Sequence, residues 1–111
     1  MQVQESKKGM VLVVAAQGRL DGSSADEFQG RLSASIESGE TRILLDFADL
    51  IYISSAGLRI LLITAKRLKE GDGQFAICGL TENVASVFKV SGFDGVIKIF
   101  PDEAAALASY G

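Results

Sequence analysis

The stretch DLIYISSAGLRILL, residues 49–62, decides how this chain is read. Leu50, Ile51, Tyr52 and Ile53 form an apolar run with the look of a buried strand. It stops at two adjacent hydroxyls, Ser54 and Ser55. The apolar spacing then changes: Leu58, Leu61, Leu62, Ala65 and Leu68 fall on one face at helical intervals. The serines stand at the handover. One of them is enough to cap the helix, accepting a free backbone N–H for about 1 kcal/mol. Two hydroxyls leave one over. A serine nucleophile needs a base, and the chain contains no histidine. A phosphate acceptor needs none, because a kinase brings its own, and a helix amino end favours an anion. Gly57 leaves the first helical turn without a side chain, an opening for another molecule to approach.

The segments around this stretch set the fold class. Val3–Ser6 and Met10–Ala16 read as a hairpin turning at Lys8–Gly9. Ser24-Ala-Asp-Glu27 fits a capping box, followed by a helix with Ala25, Phe28, Leu32 and Ile36 on one face and Gly39 past its end. Arg42–Phe47 is nearly continuous apolar sequence, suited to a central strand covered on both sides. After the Leu58–Leu68 helix, Gly71 and Gly73 mark a turn. Gln74–Cys78 is a further strand. Thr81 starts a helix with Val84, Val87 and Phe88 inward. Val96–Phe100 is a last strand, and Pro101 suits the first turn of a helix over 102–109. The order is β-β-α-β-α-β-α-β-α: about five strands and four helices in one α/β domain over residues 1–111, with a mostly parallel, mixed sheet.

Composition excludes several functions. With no histidine and the single Cys78, there is no basis for a thiolate or imidazole metal site, an internal disulfide or a histidine triad. Cys78 lies in an apolar run and reads as a buried structural thiol. A formal net charge of −3 gives no electrostatic footprint for nucleic acid. The amino end, MQVQESKKG, lacks a signal-peptide core and no apolar run approaches the ~20 residues of a membrane span. The expectation is a cytoplasmic protein without cofactor, metal or membrane contact. Asp21, Asp46 and Asp49 follow strands and can gather at one sheet edge, although without a partner base they read as turn and capping residues. On the outer face of the serine-bearing helix, Arg59, Ile63, Lys66 and Arg67 lie together, with Ile60 at the margin. The stripe is either plain solvated surface or a docking face.

Three pieces together, GRLDGSSADEF, ILLDFADLIYISSAGLRILL and LTENVASVFKVSGFDGVIKIF, resemble the STAS domain family, and within it the stand-alone anti-sigma-factor antagonists. The resemblance runs from about Met10 to Phe100. It implies a non-enzymatic regulator that works by partner switching. The unphosphorylated antagonist binds an anti-sigma factor that is also a serine kinase of the GHKL ATPase type. The kinase phosphorylates it and the pair separates. A PPM-type serine phosphatase resets it. The family motif Asp-Ser-(Ser/Thr)-Gly-Leu falls on Ser54-Ser55-Ala56-Gly57-Leu58. That makes Ser55 the implied acceptor, and Ser54, in the place of the motif's aspartate, a secondary one. The implied partner surface comprises Arg19, Asp21, Gly22, Ser54, Ala56, Gly57, Leu58, Arg59 and Ile63. Other family uses, a subunit of a lipid-transport ATPase or a small-ligand module for nucleotides, remain as alternatives.

Overall fold

The computed structural model describes residues 1–110. Six strands and four α-helices follow one another as β1 (Gln2–Lys8), β2 (Val11–Leu20), α1 (Ala25–Glu37), β3 (Arg42–Asp46), β4 (Leu50–Ile53), α2 (Ser55–Glu70), β5 (Gln74–Cys78), α3 (Glu82–Ser91), β6 (Lys98–Phe100) and α4 (Glu103–Ser109). The sheet order is β1-β2-β3-β5-β6, and β4 also pairs with β2. Only β1 runs antiparallel, as the hairpin partner of β2. The mixed α/β architecture is the one read from the sequence.

Strand alternation divides the core in two. Leu12, Val14, Ala16, Ile43, Leu45 and Ile77 meet α1, α2 and α3 on one face, around Phe28, Leu61 and Phe88. Val11, Val13, Leu44, Ala76 and Cys78 point to the other face, which α4 covers through Ala106. Cys78 is buried, as expected, and desolvation pushes its thiol up to about 12.

The sequence reading needs five corrections. Residues 50–53 form a strand of their own, so the order is β-β-α-β-β-α-β-α-β-α. A tight turn, in which Leu50 donates its N–H to the Phe47 carbonyl at 3.0 Å, separates β4 from β3. This strand carries a bulge. Gly18 and Arg19 are consecutive in β2 but pair with Leu50 and Tyr52, leaving Ile51 without a partner. Both Leu50 and Ile53 therefore point inward while Ile51 and Tyr52 are exposed.

The second correction concerns the phase of α2. Its buried residues are Gly57, Leu58, Ile60, Leu61, Thr64 and Leu68, with Ile60 only 4% exposed. Leu62, expected inside, is 38% exposed. Thr64 takes the inward place because its hydroxyl donates to the Ile60 carbonyl at 2.8 Å, which satisfies it within the helix.

Third, Ser24 stands at the amino cap of α1 but its side chain caps nothing. Asp21 has already closed the turn, its carbonyl accepting the N–H groups of Ser24 and Ala25 at 3.1 and 2.8 Å. The Ser24 hydroxyl points back instead, donating to the Arg19 carbonyl at 2.9 Å and accepting from the Asp21 N–H at 3.0 Å.

Fourth, the last strand is shorter than expected. A 3₁₀ turn over Phe93–Gly95 carries the chain to Val96, whose backbone is helical rather than extended. Only Lys98–Phe100 pair with β5. Fifth, Pro101 precedes α4 rather than entering its first turn, and Asp102 is the cap, accepting from the Ala105 N–H at 2.8 Å.

Candidate functional site

Parallel pairing brings two loops to one edge of the sheet. Arg19 and Leu20, at the end of β2, pair with Tyr52 and Ile53, at the end of β4. The Ser54 N–H then continues the ladder by donating to the Leu20 carbonyl at 2.9 Å. The RLDG segment (Arg19–Gly22) and the amino end of α2 thus lie side by side. The chemistry of the edge depends on how each hydroxyl and charge there is used.

Ser54 is extended and half-buried, and its Oγ accepts from the Gly57 N–H at 3.3 Å. It is the cap of α2. Ser54 thus supplies the cap without bringing a negative charge to the helix end. Ser55 is the first helical residue. It is exposed, and its hydroxyl makes no hydrogen bond within the described residues. The first turn of α2 carries no acid, whereas α1 has Asp26 and Glu27, α3 has Glu82 and α4 has Glu103. The positive end of the longest helix therefore has no acid in its own first turn to balance it.

Gly57 has a different purpose from the expected opening. It is buried, and a Cβ built on it would stand 2.9 Å from the Leu20 Cγ, the Leu20 carbonyl oxygen and the Ile53 Cγ1. Glycine is needed here so that α2 can seat directly on the ends of β2 and β4. Leu58 is also buried. These two residues position the surface instead of forming it. Its exposed part consists of Ser55, Arg59 and Ile63 on α2, with Ala56 half-buried between them. Lys66 and Arg67 extend the exposed stripe, and Arg67 reaches across to the Ser33 hydroxyl of α1 at 2.6 Å.

Across the edge, the Arg19 guanidinium carbon stacks 4.2 Å from the centre of the Tyr52 ring, and its Nε stands 3.5 Å from an Asp21 carboxylate oxygen. The hydroxyl and the N–H of Ser23 both donate to Asp21, at 2.7 and 3.0 Å, and hold its carboxyl below the ordinary range. Gly22 lies exposed in the same turn. Tyr52 and the looped-out Ile51, 60% exposed, add apolar surface that the sequence reading did not include. The signal was present: two large apolar residues in succession break the in-out alternation of a strand.

The three aspartates do not converge. Asp46 and Asp49 border a small cavity of about 70 Å³ with Gln2, Gln4 and Gln17, while Asp21 belongs to the Arg19 loop. Asp46 accepts the Ala48 N–H at 3.0 Å, a turn role. Among the described residues, no group of three His, Cys, Asp or Glu is arranged to hold a metal ion. No helix there is long and apolar enough to cross a membrane.

The sequence model of the STAS domain matches residues 2–106. This chain belongs to the STAS domain family. BtrV of Bordetella bronchiseptica, named a candidate anti-sigma factor antagonist, is 36% identical over 100 residues, covering 90% of this chain and 86% of that protein. Among solved structures, a candidate anti-sigma factor antagonist of Thermotoga maritima superposes with a TM-score of 0.92 at 20% identity, covering 96% of this chain and 92% of that one. The Bacillus cell fate determinant SpoIIAA in its phosphorylated form gives 0.75 at 21% identity, covering 96% and 97%. At those identities the two structures speak for the STAS fold, while the family model and BtrV carry the family assignment.

Proposed function

We propose that this STAS protein is an anti-sigma-factor antagonist that switches partners through Ser55. In its unmodified form it binds an anti-sigma factor that is also a serine kinase of the GHKL ATPase type. Phosphate on Ser55 releases it, and a PPM-type phosphatase restores it. The observation that carries this reading is the division of labour between the two serines: Ser54 is engaged as the cap, and Ser55 is exposed and unengaged beside it. The 36% identity to BtrV, named a candidate anti-sigma factor antagonist, supports the same class.

The physics of the switch follows from the site. A phosphoserine carries about −1.5 to −2 charges at neutral pH. Placed on the first residue of α2, that charge meets free helix amides and no competing acid in the turn, so the isolated protein accommodates it. A partner fitted to a hydroxyl has to desolvate it. Burying a poorly paired charge costs several kcal/mol, and 1.4 kcal/mol is already tenfold in affinity. Release therefore comes from exclusion at the surface, without a change of fold. Arg19, Asp21, Gly22, Arg59 and Ile63 surround the acceptor as the contact surface, seated by Gly57 and Leu58.

The test starts with a pull-down from the native cell extract to isolate the ATPase partner. Purified partner and ATP should then place phosphate on Ser55, as read by phosphopeptide mapping, and the modified protein should no longer bind. Phosphate found mainly on Ser54 or on a distant residue refutes the assignment. Tight binding that survives full phosphorylation of Ser55 refutes the switch.

A further inference from the structure

The sheet has a notch at its far edge, away from the serines. Strand β6 begins at Lys98, opposite Ala76, so Gln74 and Phe75 of β5 extend beyond it without an edge partner. Helix α2 closes the notch on one face and the end of α4 closes it on the other. The half-open cavity between them measures about 260 Å³. Phe75, Val96 and Tyr110 give it apolar walls, and Tyr110 is fixed in place because its hydroxyl donates to the Ile43 carbonyl.

The charge of the lining is one-sided. Lys69 enters from α2, and Lys98 belongs to the opposite face of the sheet, in register with Ala76. Among the described residues no aspartate or glutamate lines the cavity, although the chain as a whole is acidic. Within the described residues neither lysine has a carboxylate within ion-pair distance. A backbone donor adds to them. The Gln74 N–H turns toward β3, donating to the Thr41 carbonyl at 2.8 Å. Alternation in a parallel ladder then turns the Phe75 N–H the other way, into the gap that β6 leaves.

We propose that this notch binds a small aromatic carboxylate, with its anion between Lys69 and Lys98 and its ring against Phe75, Val96 and Tyr110. The volume sets the size. It exceeds the roughly 150 Å³ that holds benzene and falls just short of the ~300 Å³ at which drug-sized sites begin, so one or two rings fit. The site is independent of Ser55. Ala65, on its rim, lies ten residues further along α2, about 15 Å along the helix axis.

The experiment is a titration of the full chain with 1-naphthoate, followed by amide NMR spectra. Expected are saturable shifts at 74–76, 96–98 and 109–110, with a Kd near 1 mM, the value that usual ligand efficiency gives for about thirteen heavy atoms. Lys69→Gln with Lys98→Gln should weaken binding roughly tenfold, since two partly exposed charge pairs are removed, while the remaining spectrum stays in place. Neutral 1-naphthamide should bind the unaltered protein more weakly by a similar factor, and Ser55→Asp should leave the naphthoate Kd unchanged. Shifts that do not saturate, shifts centred on 54–62, or equal affinity for the amide and the acid overturn the proposal.

Discussion

The tripeptide Ser-Ser-Ala occurs twice in this chain, each time where a strand gives way to a helix: at residues 23–25 before α1 and at 54–56 opening α2. The two copies use their hydroxyls differently. At the first, Ser23 donates to Asp21, and Ser24 bridges the Arg19 carbonyl and the Asp21 N–H. Both hydroxyls are taken up by a loop, and Asp26 and Glu27 already occupy the first turn. At the second, Ser54 alone does the capping, Ser55 stays unengaged and no acid is near in sequence. A serine pair is therefore not a site by itself. What comes before each pair decides: Asp21, two residues ahead of Ser23, draws both hydroxyls of the first pair into its loop, whereas Ile53, buried in the core, directly precedes the second pair and anchors it at the surface.

The largest effect expected from this contrast concerns glycine. Gly57→Ala pushes a methyl into Leu20 and Ile53, and should destabilise by about 1–3 kcal/mol despite alanine's better helix propensity. Gly30→Ala, in α1, has nothing within 4 Å of the new methyl and should stabilise by about 0.5–1 kcal/mol. Urea unfolding of both variants gives the comparison. If the two changes have the same sign, α2 is not seated on the sheet as described.

Next come the serines themselves. Ser54→Ala should cost about 1 kcal/mol through the lost cap, and Ser55→Ala less than about 0.5 kcal/mol. A larger loss for Ser55→Ala would exchange the two roles. Of similar size is a charge effect. Ser55→Asp should raise stability by about 0.3–1 kcal/mol at low ionic strength through the helix dipole, and the gain should fade in molar salt, where screening reaches ~3 Å. A destabilised Ser55→Asp protein would mean that the amino end of α2 does not welcome an anion.

The smallest effect is a pH dependence in the first loop. Hydrogen bonds from Ser23 lower the folded-state pKa of Asp21 below its ordinary 3.8. The sign follows: the contribution is present above pH 3.8 and is lost as pH falls through the lower folded value. Asp21→Asn should therefore flatten the stability profile in that acid window and leave it parallel to the parent above pH 5. An unchanged slope would remove Asp21 as the organiser of that loop.

Most of the fold could be read from the sequence because hydrophobic periodicity changes cleanly between 2 and 3.6 along the chain. The readings that failed did so for local reasons. Leu50–Ile53 has the look of a strand but was not counted apart from Arg42–Phe47, because the two-residue turn between them is too short to separate them by composition. The phase of α2 went astray because Thr64 is polar yet satisfied inside its own helix. The capping box at Ser24 matched in sequence, but the Asp21 turn competed for the same hydroxyl. At the site, the placement of the serines was legible from the change of period. The Arg19 stack on Tyr52 was not, because it depends on pairing between strands about thirty residues apart.

The bulge at Ile51 can also be considered as a question of counting. Leu50 and Ile53 are three residues apart, an odd number, so a regular strand would send them to opposite faces. One surplus residue corrects the parity, and the serines inherit the result: Ser54 turns toward the helix and Ser55 toward solvent. Loss of Ile51 leaves a regular Leu50-Tyr52-Ile53 strand with the same inward pair and the same outward serine. An extra residue inserted after Tyr52 does not. It moves Ile53 out and breaks the tie between Ser54 and Leu20. This strand should therefore tolerate a deletion at position 51 far better than an insertion two residues later, an asymmetry between shortening and lengthening that point substitutions do not reveal.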